Sequence, residues 1–274
     1  MAQDAPKKRK PIPTATILRI GGIAIALCSA LGGAIYASQR FEQFLIRDPR
    51  FMLAGPAEYG LESVNIQLKG VQYASPARIL RAFDSDFGRS IYLVPLAARR
   101  QAMLNIGWVR DAAVIRVWPD HLIVTVQERK PAAFVKLPAE GMTRWALIDE
   151  TGAILDPPQK ASFHLPVLSG VPAGEPADKR ARRVKRMQQL LKDLGRRAEA
   201  VSEVDAGDLD DLKISRSVQG HAVTLLMGER NFASRLDNFL EHYPDIHRKM
   251  PQAATFDLRL DDRITGLEDG ANGR

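Results

Sequence analysis

The chain has 274 residues, enough for one large or two modest domains, and its 45% hydrophobic and 26% charged composition is ordinary for a folded protein. Its formal charge of +7 is concentrated at one end: residues 1–19 carry Lys7, Lys8, Arg9, Lys10 and Arg19 against Asp4, which is +4, and the remainder carries only +3. So weakly basic a body does not call for a nucleic-acid partner, and the single cysteine, Cys28, excludes an internal disulfide.

From Ile20 to Ser38 no residue is charged. At about 1.5 Å per residue a helix of that length covers the hydrocarbon layer of a bilayer. A buried core helix would show a polar face, which this run lacks. A cleavable leader would need small residues before a cut, and cutting after Ala37 leaves Ile35 in the minus-three position. Leu27 before Cys28 is too large for a lipoprotein signal. The reading is an uncleaved transmembrane anchor over residues 20–38. Cations precede it, whereas Arg40, Glu42, Arg47 and Asp48 follow it in balance. The positive-inside rule then leaves residues 1–19 in the cytoplasm and the bulk outside. Gly22, Ala26, Ala30 and Ala34 recur every fourth residue, a small-residue face that permits close helix pairing in the membrane.

Residues 39–62 mix charge, proline and glycine and are expected to form a spacer. Val64, Ile66 and Leu68 alternate as a strand ending at Gly70. Ser75-Pro76 starts a helix, with Ser as cap and Pro where a missing N–H costs nothing. Gly88 breaks it, Ile91-Tyr92-Leu93 is expected to be a short extended piece, and Pro95 opens a second helix through Leu104. Then comes a hairpin. Ala113, Ile115 and Val117 alternate along one arm and Leu122, Val124 and Val126 along the other, around the turn Trp118-Pro119-Asp120-His121. Arg110, Arg116, Glu128, Arg129 and Lys130 are expected on the wet face and ends. The order β-α-α-β-β over residues 63–130 makes an α+β unit with helices against a small sheet.

That pattern resembles a POTRA domain, and its residues resemble the FtsQ/DivIB family of bacterial cell-division proteins. The matching elements are Gly70, Gly88 with Ile91-Tyr92, Trp108-Val109 with Ala112, Val114 and Arg116, Trp118-Pro119, and Glu128-Arg129-Lys130-Pro131-Ala132. Gly107 departs from the proline many relatives place before the tryptophan. The likeness continues in Leu147-Ile148-Asp149-Glu150-Thr151-Gly152-Ala153-Ile154, in Leu165–Gly170, and in Asp257-Leu258-Arg259.

Residues 131–267 are expected to form a β-rich domain with one or two helices, and 268–274 a frayed, disordered tail. Pro131 carries the hairpin straight into this domain with almost no linker. Leu147–Asp149 and Ala153-Ile154 flank an Asp/Gly turn. Asp178–Ala200 reads as a helix with an apolar stripe of Val184, Met187, Leu191 and Leu194. Its first turns are crowded with Lys179, Arg180, Arg182, Arg183, Lys185 and Arg186, which read either as a contact for anionic lipid, a glycan strand or nucleic acid or as a solvated face, the latter favoured because no aromatic residues interleave with the charges. Two strands surround Gln219-Gly220, a short helix with Phe232, Leu236 and Leu240 ends before Pro244, and Thr255–Leu260 is the final strand.

No catalytic constellation is visible. The only thiol lies in the anchor, the histidines lack a zinc-hydrolase pattern, and Asp205, Asp208, Asp210 and Asp211 lack the spacing of a calcium loop. The expectation is a non-enzymatic protein with no metal, cofactor or small-molecule substrate. The resemblance implies a divisome scaffold at the septum whose partners are other single-span proteins of the FtsB and FtsL type. It also implies that the last strand lends its edge to a partner, through Phe256, Leu258, Arg259, Leu260 and Ile264. Rival readings are a POTRA-containing assembly factor for exported proteins and a membrane-anchored cell-wall enzyme. The first usually needs repeated POTRA units or a barrel, and the second a catalytic set.

Overall fold

A computed structural model describes residues 14–55, 63–139, 142–158 and 161–267. The Lys7–Lys10 cluster and the 268–274 tail lie outside the described residues. The chain runs α1 (Thr14–Arg47), β1 (Ile66–Lys69), α2 (Pro76–Arg81), α3 (Leu96–Leu104), β2 (Val109–Val117) and β3 (His121–Glu128). It continues with β4 (Pro131–Ala139), β5 (Met142–Asp149), β6 (Ile154–Leu155), β7 (Val167–Ser169) and α4 (Ala177–Leu194). The last elements are β8 (Val201–Asp205), β9 (Leu212–Val218), β10 (His221–Gly228), α5 (Phe232–Lys249), β11 (Thr255–Asp257) and β12 (Thr265–Leu267). A three-stranded sheet has the order β1-β3-β2, and a nine-stranded sheet the order β12-β11-β10-β9-β8-β7-β4-β5-β6. This is the expected α+β class.

The described residues form two compact units. The first comprises the chain up to Lys69 with Leu80–Arg100 and Ala113–Val124; the second comprises Gly70–Ile79, Gln101–Ala112 and everything from Thr125 on.

In the first unit, α1 does not stop where the uncharged run ends. It continues to Arg47, and Asp48 then caps a 3-10 turn over Pro49–Phe51 by accepting from the Arg50 N–H. Of the stretch expected as a spacer, residues 52–54 are tied down: Leu53 N–H donates to Arg89 O (2.9 Å), Gly88 N–H donates to Leu53 O (2.8 Å), and Leu53 is buried. Ile91–Leu93 is a 3-10 turn rather than an extended piece, because the Ser90 hydroxyl accepts from Tyr92 N–H at 3.2 Å. Arg116 reaches that turn with its guanidinium, donating to the carbonyls of Ile91 (2.7 Å), Tyr92 (3.2 Å) and Val94. Arg116 is therefore turned inward, and Ala113, Ile115 and Val117 lie exposed. The inward residues of β2 are Ala112, Val114 and Arg116, the opposite phase to the one expected from the alternation. Leu122, Val124 and Val126 of β3 are buried as expected.

In the second unit, α4 and α5 cover one face of the nine-stranded sheet. Their buried stripes, Val184, Met187, Leu190 and Leu194 on α4 and Phe232, Leu236, Phe239 and Tyr243 on α5, meet Ala133, Val135, Leu168, Val204, Ile214 and Leu225 of the strands. Cross-strand registers such as Val204↔Ile214 and Ile214↔Leu225 keep these on one side. The turn between β9 and β10 uses Gln219 (φ 51°) and Gly220 (φ 85°), both left-handed, as a tight hairpin requires. Helix α5 runs through Pro244 to Lys249 instead of ending before it. Proline removes one helical hydrogen bond, but buried Tyr243 and half-buried Ile246 on either side of it carry the apolar stripe onward.

The base of the hairpin belongs to this unit, and here the family-like residues have physical roles. Glu128 is not a wet end. Its carboxylate accepts the backbone N–H groups of Gln72, Tyr73 and Ala74 at 2.7–3.0 Å. A side chain on Gly70 (φ 75°) would place its Cβ 2.3 Å from Val126 O. Trp108 donates its indole N–H to Asp156 O at 2.9 Å, packs at a tilt against Tyr73 (5.1 Å) and stacks with Phe163 (6.3 Å). Arg129 donates to Asp149 at 2.9 Å, and Asp149 also accepts from Thr151 and Ala153 in the β5–β6 turn.

Candidate partner-binding edge

At one end of the nine-stranded sheet, β10 pairs in parallel with β11 (Leu225↔Phe256), and β11 pairs antiparallel with β12 (Phe256↔Gly266). The strand containing Phe256 is thus internal, ends at Asp257 rather than at Leu260, and is covered by a twelfth strand. Among the described residues nothing pairs with the outer side of β12, which leaves backbone N–H and C=O groups open to an added strand.

Beside this edge lies a cavity of about 300 Å³ lined by residues of α5, Ser234, Arg235 and Asn238, and of the β11–β12 connection, Leu258, Leu260, Asp261 and Ile264. Arginines shape it. Arg235 donates to Asp261 (2.8 Å), to Met227 O (2.7 Å) and to Arg259 O (2.7 Å), so that one guanidinium ties α5, β10 and the connection together. Arg259 grips both oxygens of Asp257 at 2.9 and 2.6 Å and reaches Asp211 at 3.0 Å. These hydrogen bonds hold the Asp257 carboxyl below its ordinary range, and the same bonds raise Arg259. Arg235 likewise holds Asp261 low. The second Asp211 oxygen is buried without a hydrogen-bond partner among the described residues.

The residues expected to bind a partner divide by exposure. Phe256 is fully buried against Phe239 and Tyr243, with ring centroids 5.1 and 6.2 Å away. Leu258 is 2% exposed and forms part of the cavity wall. Arg259 is exposed but fully engaged, Leu260 is 54% exposed, and Ile264 is half-buried at the cavity rim. Leu260 and Ile264 therefore present surface, while Phe256 and Leu258 support it. Arg235, Asp261 and β12 are the participants that sequence reasoning missed. Three residues, Thr265-Gly266-Leu267, are too few to show a strand period, although the acidic pair Asp261-Asp262 marks the turn before them.

Gly22, Ala26, Ala30 and Ala34 are all helical and exposed on α1. The basic start of α4 is not simply a solvated face. Arg180 donates to Gly152 O (2.7 Å) and Glu175 O, and Arg183 holds the Glu175 carboxylate and the carbonyls of Ala206 and Gly207. Arg186 holds Leu209 O and Glu229 O. Only Lys179, Arg182 and Lys185 project into solvent. The acidic loop is thereby partly explained, because Arg183 fastens its start. No cluster of three or more metal-ligating side chains occurs among the described residues.

Residues 139–259 match the family model described as cell division protein FtsQ/DivIB, C-terminal, and residues 62–129 match the POTRA domain, FtsQ-type. The chain is 31% identical over 268 residues to the cell division protein FtsQ of Koribacter versatilis, spanning 94% of this chain and 73% of that one. It is 28% identical over 223 residues to FtsQ of Novosphingobium aromaticivorans, covering 80% of this chain and 65% of the relative. Among solved structures it is similar to the major extracytoplasmic domain of DivIB from Geobacillus stearothermophilus. That likeness has 21% identity, a TM-score of 0.25, and coverage of 46% of this chain and 96% of the other, and so low a score lends no weight to the assignment.

Proposed function

The chain belongs to the FtsQ/DivIB family of bacterial cell-division proteins, and on that premise we propose that it is a divisome scaffold that holds its partners by strand addition at β12. Among the described residues one helix is long and apolar enough to cross a bilayer, and in this reading the chain is a single-span membrane protein. In this reading residues 1–19 stay in the cytoplasm, and the POTRA-type domain (63–130) and β domain (131–267) lie outside at the division septum. In this reading its work is binding rather than catalysis.

The observation that carries the reading is the juxtaposition of an unpaired β12 edge with a cavity walled by Leu258, Leu260 and Ile264. An added strand gains affinity from main-chain hydrogen bonds, and its alternate side chains gain selectivity from pockets. A partner of the FtsB or FtsL type, laying one extended segment along β12, would place a side chain in that cavity with its apolar part against Leu258, Leu260 and Ile264 and its polar end toward Ser234 and Asn238. The Arg259–Asp257–Asp211 and Arg235–Asp261 pairs keep its walls fixed.

The test is capture of such a partner by the full chain in detergent. Leu260→Asp and Ile264→Asp change exposed or half-buried positions and are expected to keep the fold while abolishing capture. Unchanged capture by folded variants would overturn the reading.

A further inference from the structure

The last turns of α1 are fastened to the first unit at two points. The Ser90 hydroxyl donates to Leu45 O at 2.7 Å, which joins the 3-10 turn Ile91–Leu93 to the helix. Phe44 packs edge-on against Phe51 (5.6 Å between centroids), and Phe51 packs edge-on against Trp118 (5.7 Å), which joins the tip of the hairpin to the helix. Asn65 donates to Asp120 at 2.7 Å and so fixes that tip.

Both tethered pieces expose large apolar side chains: Trp118 is 50%, Tyr92 39% and Leu93 46% exposed. Phe44 lies six residues beyond Ser38, where the expected span ends, about 9 Å along a helix. Helical side chains lean back toward the N-terminus, so its ring sits nearer the bilayer than its Cα. The headgroup zone on each side of the hydrocarbon is roughly 5–8 Å thick. Phe44 thus falls at that zone, and Phe51 and Trp118 follow from it through the two ring contacts. Cations are placed there too. Arg47 is exposed on the last turn of α1, and Arg50 lies over the Phe44 ring at 5.7 Å while paired with Asp48. Tryptophan, tyrosine and arginine are the side chains that prefer the membrane–water interface.

We propose that this end of the first unit is seated on the phospholipid headgroup layer that α1 enters, with Trp118, Tyr92 and Leu93 in the interfacial zone and Arg47 against lipid phosphates. The helix is then more than a tether: it presses an aromatic face onto the membrane. The proposal rests on the reading that α1 spans the bilayer, and the experiment separates the two.

The full chain is reconstituted into phosphatidylethanolamine–phosphatidylglycerol vesicles containing lipids spin-labelled either on the headgroup or deep in the acyl chain, and tryptophan emission is recorded. Trp118 is one of three tryptophans, so the chain is compared with Trp118→Phe, which retains an aromatic ring against Phe51. Leu31→Trp reports on the middle of the span. The expected result is headgroup-label quenching that disappears in Trp118→Phe, together with acyl-label quenching of Leu31→Trp. Equal headgroup quenching with and without Trp118, while Leu31→Trp is quenched, overturns the docking and leaves the span intact. A Leu31→Trp signal that escapes the acyl label overturns the span, and the docking with it. If Trp118 emission shifts to the blue only when a second protein is added, the face docks protein and the lipid proposal fails.

Discussion

Removing the Asp149 carboxylate should destabilise the second unit by several kcal/mol. The side chain is almost completely buried and accepts four hydrogen bonds: from Thr151 N–H (2.9 Å), Thr151 Oγ1 (2.7 Å), Ala153 N–H (2.9 Å) and Arg129 Nη1 (2.9 Å). Burial pushes its carboxyl up, but the bonds from Thr151, Arg129 and Ala153 outweigh burial and hold it below its ordinary value. Truncation to alanine leaves two backbone donors without partners and leaves Arg129, itself largely buried, with the Thr151 hydroxyl (3.1 Å) in place of a counter-charge. Breaking a buried ion pair from one side costs about 3–5 kcal/mol. Asp149→Asn keeps the shape but turns an amide toward Arg129, and about 2 kcal/mol is expected from the loss of charge-assisted bonds. Urea unfolding of the full chain in detergent, followed by near-UV circular dichroism at neutral pH, measures both. A double-mutant cycle with Arg129→Met should give a coupling of about 1 kcal/mol or more. Because the folded-state pKa is depressed, this stability is complete above the unfolded value of about 4 and is lost as pH falls through the folded value. Costs below about 1 kcal/mol, the range of an exposed pair, would refute the claim that this joint is a buried electrostatic clasp.

Two further outcomes are expected. Arg216 faces the helix-covered side of β9, its Nε and Nη1 are buried without partners among the described residues, and burial lowers its pKa. Arg216→Met should therefore raise stability, by about 1 kcal/mol or more, and a drop in melting temperature would show that the guanidinium has a stabilising role. A reporter active only in the periplasm, fused after Gly174, should be active, whereas activity only from a cytoplasm-specific reporter at that site would reverse the topology.

Some of this architecture was legible in the sequence because local chemistry dictated it. Ser75-Pro76 and Pro95 mark helix starts that the structure places at Pro76 and Leu96, and Gln219-Gly220 marks a left-handed turn. Other features depend on contacts that sequence periodicity does not carry. In β2 both sets, Ala112 with Val114 and Ala113 with Ile115 and Val117, are apolar, so alternation alone leaves the phase open. The carbonyls around Ile91–Val94 decide it by drawing Arg116 inward. The charged start of α4 reads as solvated until Arg180, Arg183 and Arg186 are seen to fasten distant loops. At the candidate site, Leu260 and Ile264 were legible as apolar residues near a strand end. The inward turn of Phe256 and Leu258 was not, because the strand that covers β11 is only three residues long.

Hydrogen exchange on the full chain, with and without a single-span division partner, tests the central claim most directly. Strand addition predicts that the amides of Thr265–Leu267 gain strong protection in the complex, while those of β6, at the opposite end of the sheet, exchange as before. Capture of the partner with β12 exchange unchanged would contradict it.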